Sequence, residues 1–156
     1  KIRMKLSLKK NIKLISLYPP YLGSGISVKF VDADFTKITV ELKMRWWNRN
    51  AVGTHFGGSL YSMCDPFYMF ILMEHLGNDY IVWDKAASIG FKKPGLKTVS
   101  ATFEIPKEQI AEIKSFVDLN GKGDFSFTTT VNGENGEVVA EVEKVVYVRY
   151  KRFIKK

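Results

Sequence analysis

Cysteine is nearly missing from this chain: of its 156 residues one, Cys64, is a cysteine. An internal disulfide is therefore excluded, and the composition suits a reducing cytoplasm. Histidine is as scarce, with only His55 and His75. Together with the single thiol, this leaves no cysteine-based zinc site and argues against a structural metal. No cleavable apolar segment follows the basic first residues, so no secretory signal is expected. The longest apolar stretch, centred on residues 60–73, is interrupted by Asp65-Pro66 and is too short to span a bilayer comfortably. No internal repeat and no low-complexity segment is present. Acidic residues are outnumbered, 16 against 24 Lys and Arg, for a formal net charge of +8. That excess favours anionic partners in general, but no nucleic-acid-binding motif accompanies it. Arg45 and Arg49 flank Trp46 and Trp47; a strand end at the domain edge explains that pattern better than base stacking.

Nearly half of the residues are apolar, enough for one globular domain with a substantial core. Residues 4–17 carry Met4, Leu8, Ile12 and Ile15 at helical spacing among lysines, which predicts an amphipathic helix over residues 1–19, ended by Pro19-Pro20. Its apolar face is expected to cap the remaining domain, residues 20–156. From Ile26 the period changes to two, giving a strand pair across Asp32-Ala33-Asp34. Tyr80–Phe91 reads as a strand apolar on both faces, interior or at an interface. Thr98–Ile105 is another strand, and Lys107–Val117 a short helix. Two long alternating strands, 124–131 and 138–150, flank the turn residues 132–136. The order specifies an α+β domain in which an antiparallel sheet holds one helix.

That helix carries the chemistry. Gly57-Gly58 and Ser59 open it, Gly77 closes it, and Leu60 to Met73 is apolar in nearly every direction, as in a helix buried on all sides. Asp65 lies within this stretch, where a carboxylate is costly unless satisfied. Pro66 is expected to kink the helix beside it. The glycine pair offers unshared backbone N–H groups. Two readings stand: a donor pair with a nearby carboxylate forming a site, or a helix start plus an Asp tied to neighbouring backbone. Burial predicts a raised pKa for Asp65. Asp84 and Lys85, adjacent on a strand, should point to opposite faces and suggest a cross-subunit ion pair.

Asn50, Gly53-Thr54, Gly57-Gly58, Asp65 eight residues after Gly57, and Phe91-Lys92-Lys93-Pro94 together resemble the hotdog fold, in which a curled antiparallel sheet wraps a long helix. Within it, the chain is similar to the acyl-CoA thioesterase superfamily of the phenylacetyl-CoA thioesterase type, nearest a bacterial branch of largely unassigned activity. The resemblance covers roughly residues 20–150. It implies that the Gly57 N–H, with Gly58, polarises a thioester carbonyl. It implies that Asp65 of the neighbouring subunit serves as base or nucleophile, and that Asn50 holds substrate or water. His55, Phe56 and Lys93 are the implied substrate-binding residues, Lys93 meeting phosphates of coenzyme A, while Tyr61 and Tyr68 either line an acyl pocket or pack as core aromatics, the commoner fate. No cofactor is implied beyond coenzyme A as part of the substrate, and the partners are an acyl thioester and further copies of the chain, as a dimer or tetramer. Neither nucleic acid nor stable membrane insertion is expected. The family usually has His-Gly-Gly; here Phe56 precedes the pair and His55 lies one position early, which turns the imidazole elsewhere. A non-catalytic acyl-binding domain and a hydroxyacyl-thioester dehydratase using His55 are the alternatives.

Overall fold

The computed structural model describes residues 8–152. Helix α1 (Leu8–Asn11) runs into a 3-10 turn (Ile12–Leu17) and then α2 (Pro19–Ser24). The segment is thus not the single helix expected, and the part of it before Leu8 lies outside the described residues. Pro19-Pro20 starts a helix instead of ending one. Proline is tolerated in the first turn, where its missing N–H would have no partner anyway. The expected capping face is present in part: Ile12 and Tyr21 are buried, whereas Leu14 and Leu17 are exposed.

Strands β1 (Ile26–Val31) and β2 (Lys37–Lys43) form the first hairpin. The Asp32 carboxylate fixes its turn by accepting the N–H groups of Thr36 (2.8 Å) and Lys37 (2.9 Å) and the Thr36 hydroxyl (2.6 Å). Helices α3 (Gly57–Ser62) and α4 (Phe67–Leu76) follow, then β3 (Tyr80–Phe91), β4 (Thr98–Glu104), α5 (Lys107–Asn120), β5 (Lys122–Gly133) and β6 (Val138–Tyr150). All six strands lie in one antiparallel sheet ordered β1-β2-β4-β5-β6-β3. The sheet curls round the α3–α4 unit, the hotdog arrangement.

The central helix is broken where a kink was expected. At Pro66, which has no N–H to donate, the ladder tightens: Cys64 donates to the Tyr61 carbonyl (3.0 Å) and Asp65 to that of Ser62 (3.2 Å). The Tyr21 hydroxyl donates to the Asp65 carbonyl at this break. The second helix is the core's centre. Phe67, Ile71 and Leu72 are fully buried, Phe67 packs 5.1 Å from Phe103, and Tyr68 stacks 4.8 Å from Phe127. Truncating one of these aromatics should cost about 3–5 kcal/mol through lost transfer energy and the cavity left behind.

The twelve-residue β3 is an edge strand paired only to β6, so its expected interior position does not hold. Tyr80, Val82 and Asp84 face the helix layer and Lys85 forms a bulge. The extra residue resets the alternation, so that Ala87 and Ile89 are the next partly buried positions. Without that bulge every residue beyond Asp84 would face the other way. No helix among the described residues is long and apolar enough to cross a membrane.

Candidate functional site

Two clusters surround α3. The first is an open cleft of about 440 Å³ whose walls include Asn50, His55, Gly57, Phe91 and Lys93. Asn50 builds the loop beneath it. Its Oδ1 accepts the N–H groups of Val52 (3.1 Å) and Thr54 (3.0 Å), while its Nδ2 donates to Thr54 Oγ1 (2.7 Å) and the His55 carbonyl (3.1 Å). The side chain expected to hold substrate or water therefore spends its hydrogen bonds on the loop. His55 is pinned from both ends: its N–H donates to Gly95 (3.0 Å) and its ring Nε2 to the Lys97 carbonyl (2.8 Å). Because a carbonyl only accepts, the ring proton belongs on Nε2. The other nitrogen, Nδ1, is buried with no hydrogen-bond partner. Burial lowers the imidazole's pKa, against the opposing pull of the Lys97 carbonyl, so the ring is neutral near pH 7.

Helix α3 begins with Phe56, whose carbonyl takes the N–H groups of Ser59 (2.9 Å) and Leu60 (3.2 Å). The N–H groups of Gly57 and Gly58, one turn too early for an intrahelical partner, have no hydrogen-bond acceptor among the described residues. With the helix broken at Pro66, α3 has six residues. Its macrodipole is correspondingly small, and the two amides themselves are the donors. At both glycines an exposed aromatic ring lies close to the backbone and would have to shift for a larger residue. A Cβ on Gly57 would lie 3.0 Å from the Phe91 ring, and one on Gly58 would lie 2.3 Å from that of Phe56.

The second cluster is ionic. The Lys144 ammonium, its side chain 2 % exposed, lies 2.7 Å from Asp65 Oδ1 and 3.0 Å from Asp84 Oδ2. Asp65, at the α3–α4 break, is 48 % exposed; Asp84, on β3, is 16 % exposed. Lys144 is the buried end of the arrangement and Asp65 its open end. The Tyr61 ring centre lies 5.9 Å from the Lys144 Nζ. These positions correct the raised pKa expected for Asp65. Burial does push it up, but hydrogen bonding with Asp84 and Lys144 and the lysine's charge outweigh burial, leaving the carboxyl below its usual range. The raised group is Asp84: burial pushes it up to about 6, and the neighbouring Asp65 carboxyl adds to this against the pull of Lys144. Among the described residues no hydrogen-bond donor is directed at Asp84 apart from the ion contact. Asp84 and Lys85 point to opposite faces, as expected, and each has a partner within the chain. Asp84 pairs with Lys144, and Lys85, on the bulge, with Asp124 of the same chain.

Asp65 does not line the cleft that holds Gly57, so a single protomer keeps acid and amides apart. Phe56 is exposed beside the cleft, and Tyr61 lies in the ionic cluster. Of the two readings of Tyr68, core packing holds: it is buried, and its hydroxyl donates to the Thr128 carbonyl (2.6 Å). Lys93 lines the cleft and has no carboxylate partner among the described residues, while Lys92 pairs with Glu141 (2.9 Å). Lys144 and Asp84 have no place in the sequence motif. Their signal is register: Lys144 falls on the same face of β6 as Val142, Val146 and Val148, all buried, and a charge on a buried face demands partners.

Residues 11–148 match the family described as a domain of unknown function (DUF4442), and the chain belongs to that family. No curated protein sequence matches it. Solved structures share the fold at low identity. A protein of unknown function from Pseudomonas aeruginosa, called a probable thioesterase, superposes with a TM-score of 0.80 at 18 % identity, covering 94 % of this chain and 98 % of that one. A Haemophilus influenzae thioesterase gives 0.67 at 9 % identity, covering 94 % of both chains. The E. coli PaaI protein of the phenylacetic acid degradation operon gives 0.60 at 17 % identity, covering 92 % and 95 %. The chain is therefore a hotdog-fold protein whose structural neighbours include thioesterases.

Proposed function

We propose that this chain is an acyl-thioester hydrolase, with acyl-CoA esters as its substrate class. The observation that carries the reading is the Gly57 amide hydrogen, unshared and bordering an open cleft beside Lys93. Hydrolysis of a thioester places negative charge on the carbonyl oxygen, and preorganised N–H donors stabilise that charge. The Lys93 ammonium suits a coenzyme A phosphate as a point charge. Asp65, ionised and half exposed, serves as base or nucleophile. Its lowered pKa makes it a weaker base than a neutral-range acid would be, so its value rests on placement.

Because Asp65 lies outside the Gly57 cleft, the complete site requires a second protomer whose Asp65 reaches the first one's amides. The long, unpaired edge of β3 supplies the main-chain groups for such pairing. We assign a homodimer, alone or doubled to a tetramer, in the cytoplasm. The test is thiol release from a panel of acyl-CoA esters by wild type and Asp65→Asn. Release that falls about 10²–10⁴-fold in the variant supports the assignment; equal release from both refutes it. Tight acyl-CoA binding without any thiol release would instead identify a binding domain.

One observation favours a second reading. His55 lines the same cleft with a buried, unpartnered Nδ1, an acceptor suited to removing a proton in dehydration of a hydroxyacyl thioester. Water elimination lost in His55→Ala would select this reading, whereas thiol release surviving in that variant selects hydrolysis.

A further inference from the structure

The ionic cluster behind Asp65 is larger than hydrolysis by an Asp needs. A buried lysine is costly unless its charge is met, and Lys144 is met twice, at 2.7 Å by Asp65 and at 3.0 Å by Asp84. The three groups come from three elements: the α3–α4 break, β3 and β6. The register of β3 on β6 gives the cluster its geometry. Asp84 stands opposite Val146 and Ala87 opposite Lys144, so Asp84 and Lys144 are diagonal neighbours across β3 and β6. The same face brings no other ionisable group to the ammonium except those on the helix side. There the Tyr21 hydroxyl donates to the Asp65 carbonyl, Cys64 is buried with its thiol pushed up to about 12 by burial, and Tyr61 offers its ring. Burial and the Asp65 charge raise the Tyr21 phenol as well. Tyr21 and Cys64 are therefore neutral at physiological pH, and among the described residues Lys144 is the cation that pairs with Asp65.

We propose that Lys144 and Asp84 are positioning residues of the hydrolase: the ammonium, clamped between two carboxyl groups, holds Asp65 ionised and fixes its direction, and Asp84 fixes the ammonium. This rests on the hydrolase reading above. No covalent step involves either residue. Asp84 is the group of the cluster that exchanges a proton near neutrality, so the clamp tightens or loosens with pH through the number of carboxylates sharing one ammonium. With Asp84 protonated, Lys144 serves Asp65 alone; with Asp84 ionised, the lysine is divided between two anions.

The experiment pairs a titration with kinetics. The carboxyl carbon of Asp65 is followed by NMR across pH in the wild type, Lys144→Met, Lys144→Arg and the double variant Lys144→Met/Asp84→Asn. The double variant leaves no buried Asp84 charge unmatched, and so stays folded if the single one does not. Removing the ammonium is expected to raise the Asp65 titration by about one unit or more, tenfold in its ionisation. With the acyl-CoA ester that the wild type hydrolyses best, kcat should fall about 10²-fold with KM changed by less than about threefold, because the lost group touches no substrate. Lys144→Arg should recover part of kcat and bring the titration back down, which a loss of packing alone would not do. An unchanged Asp65 titration in both methionine variants, or unchanged kcat, overturns the proposal. Wild-type protein that releases no thiol from any ester overturns the hydrolase reading and the reaction role with it, while the titration still decides whether Lys144 governs the ionisation of Asp65.

Discussion

The cleft and the ionic cluster flank the same short helix but are made differently. The cleft is built largely on backbone: the Gly57 amide, a loop tied by Asn50, and His55, held by its main-chain N–H on the Gly95 carbonyl and by its ring on the Lys97 carbonyl. The cluster is made of side chains, three charges of which one is almost fully buried. Backbone donors keep their strength whatever the pH, whereas the cluster's charge depends on a carboxyl that titrates near 6. On the proposed reading the labour is divided: the cleft would stabilise charge and the cluster supply it.

The largest effect should come from the cleft. Gly57→Pro deletes the N–H at the first helical position, where proline is tolerated, and Phe56 already has the extended backbone that a following proline requires. The Phe91 ring, itself exposed, can give way to the added atoms. Thiol release should fall about 10²–10³-fold with little change in thermal stability. Full activity would mean that the amide is not used.

The cluster should respond in stability first. Lys144→Met leaves Asp84 buried beside Asp65 with no cation, and breaking a buried pair in this way costs about 3 kcal/mol or more. Chemical denaturation at pH 7 reads it, and Lys144→Met/Asp84→Asn should recover most of the loss. A single variant as stable as wild type would show that the ammonium is not buried against these acids.

A smaller effect separates the two regions by pH. The folded-state pKa of Asp84 is raised to about 6, so between the unfolded carboxyl value and about 6 the folded protein holds a proton that the unfolded chain has released. That contribution is complete below the unfolded value and is lost as pH rises through the folded one. Relative to Asp84→Asn, the wild type should lose on the order of 2 kcal/mol between pH 4 and pH 7.5. A flat difference across that range would remove Asp84 as the titrating member. The smallest effect belongs to Lys93→Ala: KM for an acyl-CoA ester should rise about three- to tenfold, with kcat little changed, if its charge meets a phosphate.

These contrasts also mark what the sequence discloses. The second hairpin, the glycine pair and the all-round apolar face of the second helix are local patterns, and the fold followed from them. So did the cleft, since Asn50, His55 and Gly57 lie within eight residues of one another. The sign of the Asp65 shift was not local. Its counter-charge sits 79 residues away on β6, and burial without knowledge of that lysine points the wrong way. The kink at Pro66 became a break because the turn before it closes on itself, with Tyr21 satisfying a freed carbonyl. Asp84 and Lys85 do point to opposite faces, as alternation requires, but adjacency in sequence does not show their partners, Lys144 on β6 and Asp124 on β5.

The central claim is that one protomer's Asp65 completes the amide cleft of another. Gly57→Pro and Asp65→Asn, each inactive alone, test it when unfolded together in equal amounts and refolded as mixed oligomers. If acid and amide come from different protomers, half of the dimers are mixed and each carries one intact site, so about a quarter of wild-type thiol release returns. If both groups act within one protomer, every site in the mixture keeps a defect, and the sample stays as inactive as its parents.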